Sequence, residues 1–81
     1  MCWYVYIVKC NDDSLYTGVS NNIDARVTRH NLGKGAKYTR ARLPVELVYS
    51  EKAASRGAAL RREFQIKSLT ATAKKALFSH S

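Results

Sequence analysis

Acidic residues are scarce in this sequence. Six Asp and Glu stand against fourteen Lys and Arg, a net charge of +8 over 81 residues. A surface so short of carboxylates attracts polyanions, and DNA or RNA is the usual one. A basic but inert surface is the plain alternative. Long apolar runs are missing too. None approaches the ~20 residues of a membrane span, and no basic, Trp- and Leu-rich amphipathic helix stands out for lying on a membrane. Residues 1–10 are apolar but have no basic segment before them and no small-residue cleavage site, so they read as a strand and not a signal peptide. There are only two cysteines, Cys2 and Cys10. Eight strand residues would separate them by about 26 Å, whereas a disulfide tolerates less than ~7 Å between Cα atoms. Two unpaired thiols suit a reducing cytoplasm. No Cys/His spacing resembles a zinc site. Repeats, low-complexity stretches and linkers are also lacking, so one domain is expected over residues 1–81.

What is present has the composition of an ordinary soluble globular domain, 46% hydrophobic and 25% charged. Aromatic and β-branched residues fill Trp3–Lys9. The turn-forming cluster Asn11, Asp12, Asp13 and Ser14 follows, and Leu15–Ser20 reads as a second strand, which makes a hairpin. A three-residue loop over 11–13 sets Tyr6 opposite Gly18 and Val8 opposite Tyr16. Tyr6 and Tyr16 then share one face, and Trp3, Val5 and Ile7 the other; a slip of one residue would part the tyrosines. Ser20, Asn21 and Asn22 offer N-caps for a helix over Ile23–Asn31, with Asp24 in its first turn. Ile23 and Val27 are its expected buried stripe, and Asn31, Gly33 and Gly35 end it. Residues 32–44 read as a basic loop and 45–50 as a third strand. Ser55 can cap a helix to about residue 69, and Thr70 or Thr72 a last one through Phe78. The order β-β-α-β-α-α describes an α/β domain of the α+β kind, a three-stranded antiparallel sheet flanked by helices.

Four features could carry chemistry, and each has an ordinary reading beside the functional one. On the helix after Ser55, Ala59, Leu60, Phe64 and Ile66 form an apolar arc, with Glu63 near its middle. A buried carboxylate needs a partner. Lys67, four residues on, is the ordinary one; a hard cation such as Mg²⁺, which often takes one or two protein carboxylates and keeps waters and phosphate oxygens, is the other. Arg26 and His30 share a helical face. They are either a solvated basic surface, or a phosphate clamp and a proton-transfer group near neutral pH. Six Lys and Arg and no acid lie between Ala25 and Val45. In that run Arg29, Lys34, Lys37, Arg40 and Arg42 could follow a nucleic-acid backbone, and Tyr38 could stack on a base; a flexible solvated loop is the alternative. Tyr4, Tyr6 and Tyr16 crowd the hairpin, as core aromatics or as a general base or nucleophile positioner whose pKa a nearby cation pulls down.

Taken in order, these residues resemble the GIY-YIG nuclease superfamily. Tyr4-Val5-Tyr6 stands where that family has Gly-Ile-Tyr, and Tyr16-Thr17-Gly18 where it has Tyr-Ile-Gly. Arg26 follows the second tyrosine by ten residues and His30 follows Arg26 by four. Glu63, in Ala59-Leu60-Arg61-Arg62-Glu63, matches the family's metal-binding glutamate. His30-Asn31-x-Gly33-Lys34-Gly35-Ala36-Lys37-Tyr38-Thr39-Arg40 is similar to the small, stand-alone, mostly bacterial branch, itself similar to the catalytic subunit of the eukaryotic structure-specific resolvase. The resemblance covers about residues 3–69.

The resemblance implies the GIY-YIG fold and a metal-dependent DNA endonuclease of repair or recombination, acting on branched, damaged or single-stranded DNA. Glu63 would hold one divalent ion, Mg²⁺ or Mn²⁺, Arg26 would neutralise charge on the phosphate, and Tyr6 or Tyr16, helped by His30, would orient or deprotonate the attacking water. Gly18 would let the chain pass close to the tyrosines. Two departures stand out: Tyr4 and Val5 replace the family's first glycine and isoleucine, and a polar residue that some members supply after the glutamate helix has no evident counterpart. Without a separate targeting domain, specificity is expected from this domain, a homodimer or a protein partner. A catalytically silent nucleic-acid-binding module on the same scaffold is the alternative, and a small RNA- or ribosome-associated basic protein a third reading.

Overall fold

The computed structural model describes residues 2–79; Met1, His80 and Ser81 of the expected domain lie outside the described residues. The elements are β1 (Trp3–Lys9), β2 (Leu15–Ser20), α1 (Ile23–Asn31), α2 (Lys37–Arg40), β3 (Glu46–Ala53), α3 (Arg56–Lys67) and α4 (Ala71–Ala76). The sheet order is β2-β1-β3, with both neighbours antiparallel to the central β1. This is the expected α+β architecture with one added helical turn.

The hairpin has the expected register, Tyr6 opposite Gly18 and Val8 opposite Tyr16. Its turn is closed by the Cys10 N–H donating to the Ser14 carbonyl at 2.8 Å, and Asp13 takes φ 67°, a region that a short Asp side chain tolerates. Alternation along β1 then splits the core in two. Val5 and Ile7 meet Ala59 and Ile66 of α3 on one face, and Trp3, Val19 and Leu77 pack around them. Tyr6, Val8 and Cys10 join Val45 on the other, where Tyr16, Ile23 and Val27 complete the packing. Cys2 is exposed and Cys10 buried, both free thiols.

Three expectations shift. The segment 32–44 is not wholly loop: Thr39 and Arg40 N–H groups donate to the Ala36 carbonyl, and residues 37–40 form the single turn α2. One turn is too short to show a 3.6-residue apolar period. The third strand starts a residue later and runs three residues further than expected. Val45 gives its backbone to the Asn31 side chain, accepting from Nδ2 at 3.1 Å and donating to Oδ1 at 2.7 Å. At the other end, Trp3, Tyr4 and Val5 continue the ladder with Ala53, Lys52 and Glu51.

The third shift concerns α3, which Ser55 caps through the Ala58 N–H. Ala59 and Ile66 are fully buried, but Leu60 is 41% and Phe64 76% exposed. The apolar arc read from periodicity is therefore rotated: the contact line runs through Ala59 and Ile66, and Leu60 and Phe64 fall outside it. Arg62 and Glu63 flank that line. On the Arg62 side, Nε reaches both Glu51 carboxylate oxygens at 3.1 and 3.0 Å, and Tyr49 donates to the same carboxylate at 2.6 Å. Glu63 is left facing the other flank, toward β2. Thr70 caps α4, which ends at Ala76, and Leu77 and Phe78 pack on the core after it.

Candidate active site

Strand β2 is an edge strand, so side chains from both faces of the sheet can meet around it. At Gly18 they do. A Cβ there would stand 2.5 Å from Tyr6 Oη and 2.6 Å from Cζ, so only glycine lets the Tyr6 ring cross. Around this gap lies a cleft of 300 Å³ lined by Tyr6, Tyr16 and Gly18 from the hairpin, Arg26 from α1, and Leu60 and Glu63 from α3. Trp3, Val19 and Arg56 complete its wall, with the Arg56 guanidinium 5.8 Å from the Trp3 ring centre. The carboxylate expected on the long helix thus meets the guanidinium and the phenols in one concavity.

His30 lies beneath that cleft. It is the fully buried residue of α1, while Ile23 and Val27 are only half-buried. Its Nε2 is 2.9 Å from Tyr6 Oη and its Nδ1 2.9 Å from Thr39 Oγ1. The Tyr16 ring meets it edge-on at 5.5 Å. Gly35 packs against the imidazole so closely that a Cβ would collide with Nδ1 and Cγ. The solvated-face reading therefore fails for His30, which is interior, whereas Arg26 is exposed and lines the cleft.

The expected lowering of a phenol by a cation is outweighed: burial, and then the Tyr16 phenol, push Tyr6 up to about 12, while Arg26 opposes the rise and Glu63 adds to it. Burial, and then the Arg26 charge, hold His30 below its ordinary 6.5. The pair is a neutral phenol against a neutral imidazole at neutral pH. Glu63 has its side chain 20% exposed, with Lys67 Nζ 3.4 Å from Oε2. Lys67 is thus its partner within the fold, and the same carboxylate borders the open cleft. Among the described residues no three His, Cys, Asp or Glu side chains gather. The donor set is one hard carboxylate beside open space, which fits a hydrated Mg²⁺ or Mn²⁺ completed by waters and phosphate oxygens and does not fit zinc's nitrogen and sulfur cages.

The basic residues divide. Arg29 and Lys34 border a second concavity of 420 Å³ on α1 that Arg26 also lines, so the two hollows share one guanidinium. Lys37 and Arg40 are exposed on α2. Tyr38 and Arg42 are engaged within the fold. The Tyr38 ring stacks on Tyr16 at 6.0 Å, with the Arg42 guanidinium 4.0 Å from its centre. Arg42 also donates to Asp12 at 3.0 Å and to the Tyr38 carbonyl at 2.8 Å. Thr39, Arg56 and Leu60 were not singled out from the sequence as site residues. Arg56, Leu60 and Glu63 are spaced i, i+4 and i+7, so helical periodicity around Glu63 could have found the first two. Nothing local marks Thr39.

The profile described as the GIY-YIG catalytic domain matches residues 2–76. The chain belongs to the GIY-YIG family. Among its GIY-YIG relatives, a UPF0213 protein of Staphylococcus haemolyticus is 58% identical over 67 residues, 83% of this chain and 82% of that protein. One from Natronomonas pharaonis is 51% identical over 74 residues, 91% and 87% of the two chains. The solution NMR structure of a UPF0213 protein from Bacillus halodurans is 44% identical with a TM-score of 0.60, covering 95% of this chain and 82% of that one. An Enterococcus faecalis protein solved by NMR is 34% identical, with a TM-score of 0.63 and coverage of 100% and 92%. The fold is thus that of the small GIY-YIG proteins, a nuclease family. No helix of the described residues is long and apolar enough to cross a membrane.

Proposed function

We propose that this GIY-YIG domain is a metal-dependent endonuclease that hydrolyses phosphodiester bonds in branched, damaged or single-stranded DNA. The observation that carries the reading is the cleft at Gly18, which Glu63, Arg26, Tyr6 and Tyr16 all line. Glu63 would hold one Mg²⁺ or Mn²⁺, which when bound supplies positive charge to the phosphate and to the departing 3′ oxygen. Arg26 clamps the phosphate oxygens and neutralises the charge that grows on them. Of the two tyrosines, Tyr6 is the better base because it alone bonds His30, at 2.9 Å. With a pKa near 12 the phenol is protonated at neutral pH. It can take a proton from water only as its own passes to His30 Nε2. Tyr16 and Gly18 then act as cleft wall and clearance. Arg29 and Lys34, beside Arg26, and Lys37 and Arg40 on α2 would carry the strand's neighbouring phosphates.

Incubation with Mg²⁺ or Mn²⁺ and a panel of flap, fork, bubble and single-stranded DNA tests this. Cleavage is expected, and both Glu63→Ala and Arg26→Ala should reduce it by at least about 100-fold, as should chelation of the metal. Variants that cut as well as the wild type would refute the site. The Glu63–Lys67 ion pair favours a second reading, in which the carboxylate serves only that lysine and the domain binds nucleic acid silently. That reading requires salt-sensitive binding with no turnover under any metal.

A further inference from the structure

The proton route proposed for Tyr6 works only if His30 Nε2 carries a lone pair. A neutral imidazole has one N–H and one lone pair, and what its other nitrogen meets decides which is which. Here Nδ1 meets the hydroxyl of Thr39, a buried residue of α2. Thr39 Oγ1 is in turn 2.9 Å from the Ala36 carbonyl oxygen, which can only accept.

Three contacts of 2.9 Å follow in series: Tyr6 Oη to His30 Nε2, His30 Nδ1 to Thr39 Oγ1, and Thr39 Oγ1 to Ala36 O. With the imidazole proton on Nδ1, each contact holds one proton. Tyr6 donates to Nε2, Nδ1–H donates to Thr39, and Thr39 donates to the carbonyl. With the proton on Nε2, Thr39 must turn its only proton to Nδ1, and two oxygens are left 2.9 Å apart with none between them. Buried polar groups strongly favour the arrangement in which every contact is made. Gly35 contributes by leaving room for the ring at this position.

We propose that Thr39 is a positioning residue that holds His30 as the Nδ1–H tautomer and so keeps Nε2 free to receive the Tyr6 proton. The groups facing His30 are Tyr6 from β1, Tyr16 from β2, Arg26 from its own helix and Thr39 from α2; of these Thr39 alone meets Nδ1 through a hydrogen-bonding contact. When Nε2 takes the proton from Tyr6, the imidazolium keeps its Nδ1–H bond to Thr39, and Tyr6 regains a proton from the attacking water. The catalytic consequence rests on the nuclease reading above, whereas the tautomer does not.

The test therefore begins without substrate. Side-chain ¹⁵N–¹H correlation spectra of the wild type, with His30 assigned apart from His80, should show protonated Nδ1 and unprotonated Nε2. Thr39→Val, which keeps the shape and removes the acceptor, should move His30 toward the Nε2–H form; Thr39→Ser should retain Nδ1–H. On single-stranded or flap DNA with Mg²⁺, Thr39→Val should lower kcat by roughly 10- to 100-fold with KM little changed, and Thr39→Ser should restore most of it. A wild type in the Nε2–H form overturns the proposal, and so does a Thr39→Val protein that keeps Nδ1–H. If Thr39→Val proves unfolded, the wild-type and Thr39→Ser spectra still decide the tautomer. A wild type that shows Nδ1–H but cuts nothing refutes the nuclease reading and leaves the Thr39 assignment standing.

Discussion

The two faces of β1 are made by alternate residues of one strand, yet they are different materials. Val5 and Ile7 look onto a dry face closed by Ala59 and Ile66. Tyr6 and Val8 look onto a face where a phenol, an imidazole and a threonine hydroxyl are buried and bonded in series. Dispersion and the hydrophobic effect hold the first, and the Thr17 hydroxyl, opposite Ile7 on that face, is buried there without a hydrogen-bond partner. The second is specified by direction: each donor must find its acceptor, so every side chain in it has one permitted place. A chain of 81 residues keeps its reactive groups on the second face. It hides them in the half of the core that hydrogen bonds already organise, and opens that half at Gly18.

Truncating the dry face should give the largest loss of stability. Ile7→Ala removes a fully buried side chain and is expected to cost about 2–5 kcal/mol in urea unfolding, with the activity of the remaining folded fraction unchanged. The matching change on the polar face is Tyr6→Phe. It should cost about 1–3 kcal/mol by leaving His30 Nε2 without a donor, and it should remove cleavage. If Ile7→Ala impaired catalysis as severely as Tyr6→Phe at equal folded fraction, the division of labour between the faces would be wrong. Next in size, Gly18→Ala should cost about 1–3 kcal/mol, because the new methyl group must displace the Tyr6 ring. Thermal melting of this variant beside a Val19→Ala control would measure that.

The smallest effect is the pH profile of stability, and it has a sign at each end. The folded pKa of His30 lies below 6.5. Below pH about 6.5 the unfolded chain gains a proton that the folded protein refuses, so stability falls as pH drops from there toward the folded value. Tyr6 is raised from 10.0 to about 12. Its contribution is complete below pH 10 and is lost as pH rises from 10 through 12, where the unfolded phenol ionises and the folded one does not. Melting temperatures from pH 5 to 11 should show a plateau between these edges. Tyr6→Phe should soften the alkaline edge, and Ile7→Ala should lower the plateau without moving either. An alkaline edge unchanged by Tyr6→Phe would show that the phenol's burial does not govern it.

Much of this protein was legible in the order of its residues, because short-range relations determine it. Strict alternation in β1, the Asn-Asp-Asp turn, and the caps Asn22, Ser55 and Thr70 act over two to four positions. They set the hairpin register, the start of each long helix, and the placing of Tyr6 and Tyr16 on one face. Only tertiary packing decided the rest. The turn of α3 about its axis depends on Ala59 and Ile66 finding Val5 and Ile7 and on Arg62 reaching Glu51, partners far away in sequence. That rotation exposed Phe64 and aimed Glu63 at the cleft. The burial of Thr39 against His30, nine residues away across a loop, has no periodic signature at all. Local steric and hydrogen-bonding rules act over a few residues, whereas a site assembled around an edge strand depends on how whole elements dock, and that is decided by the core they share.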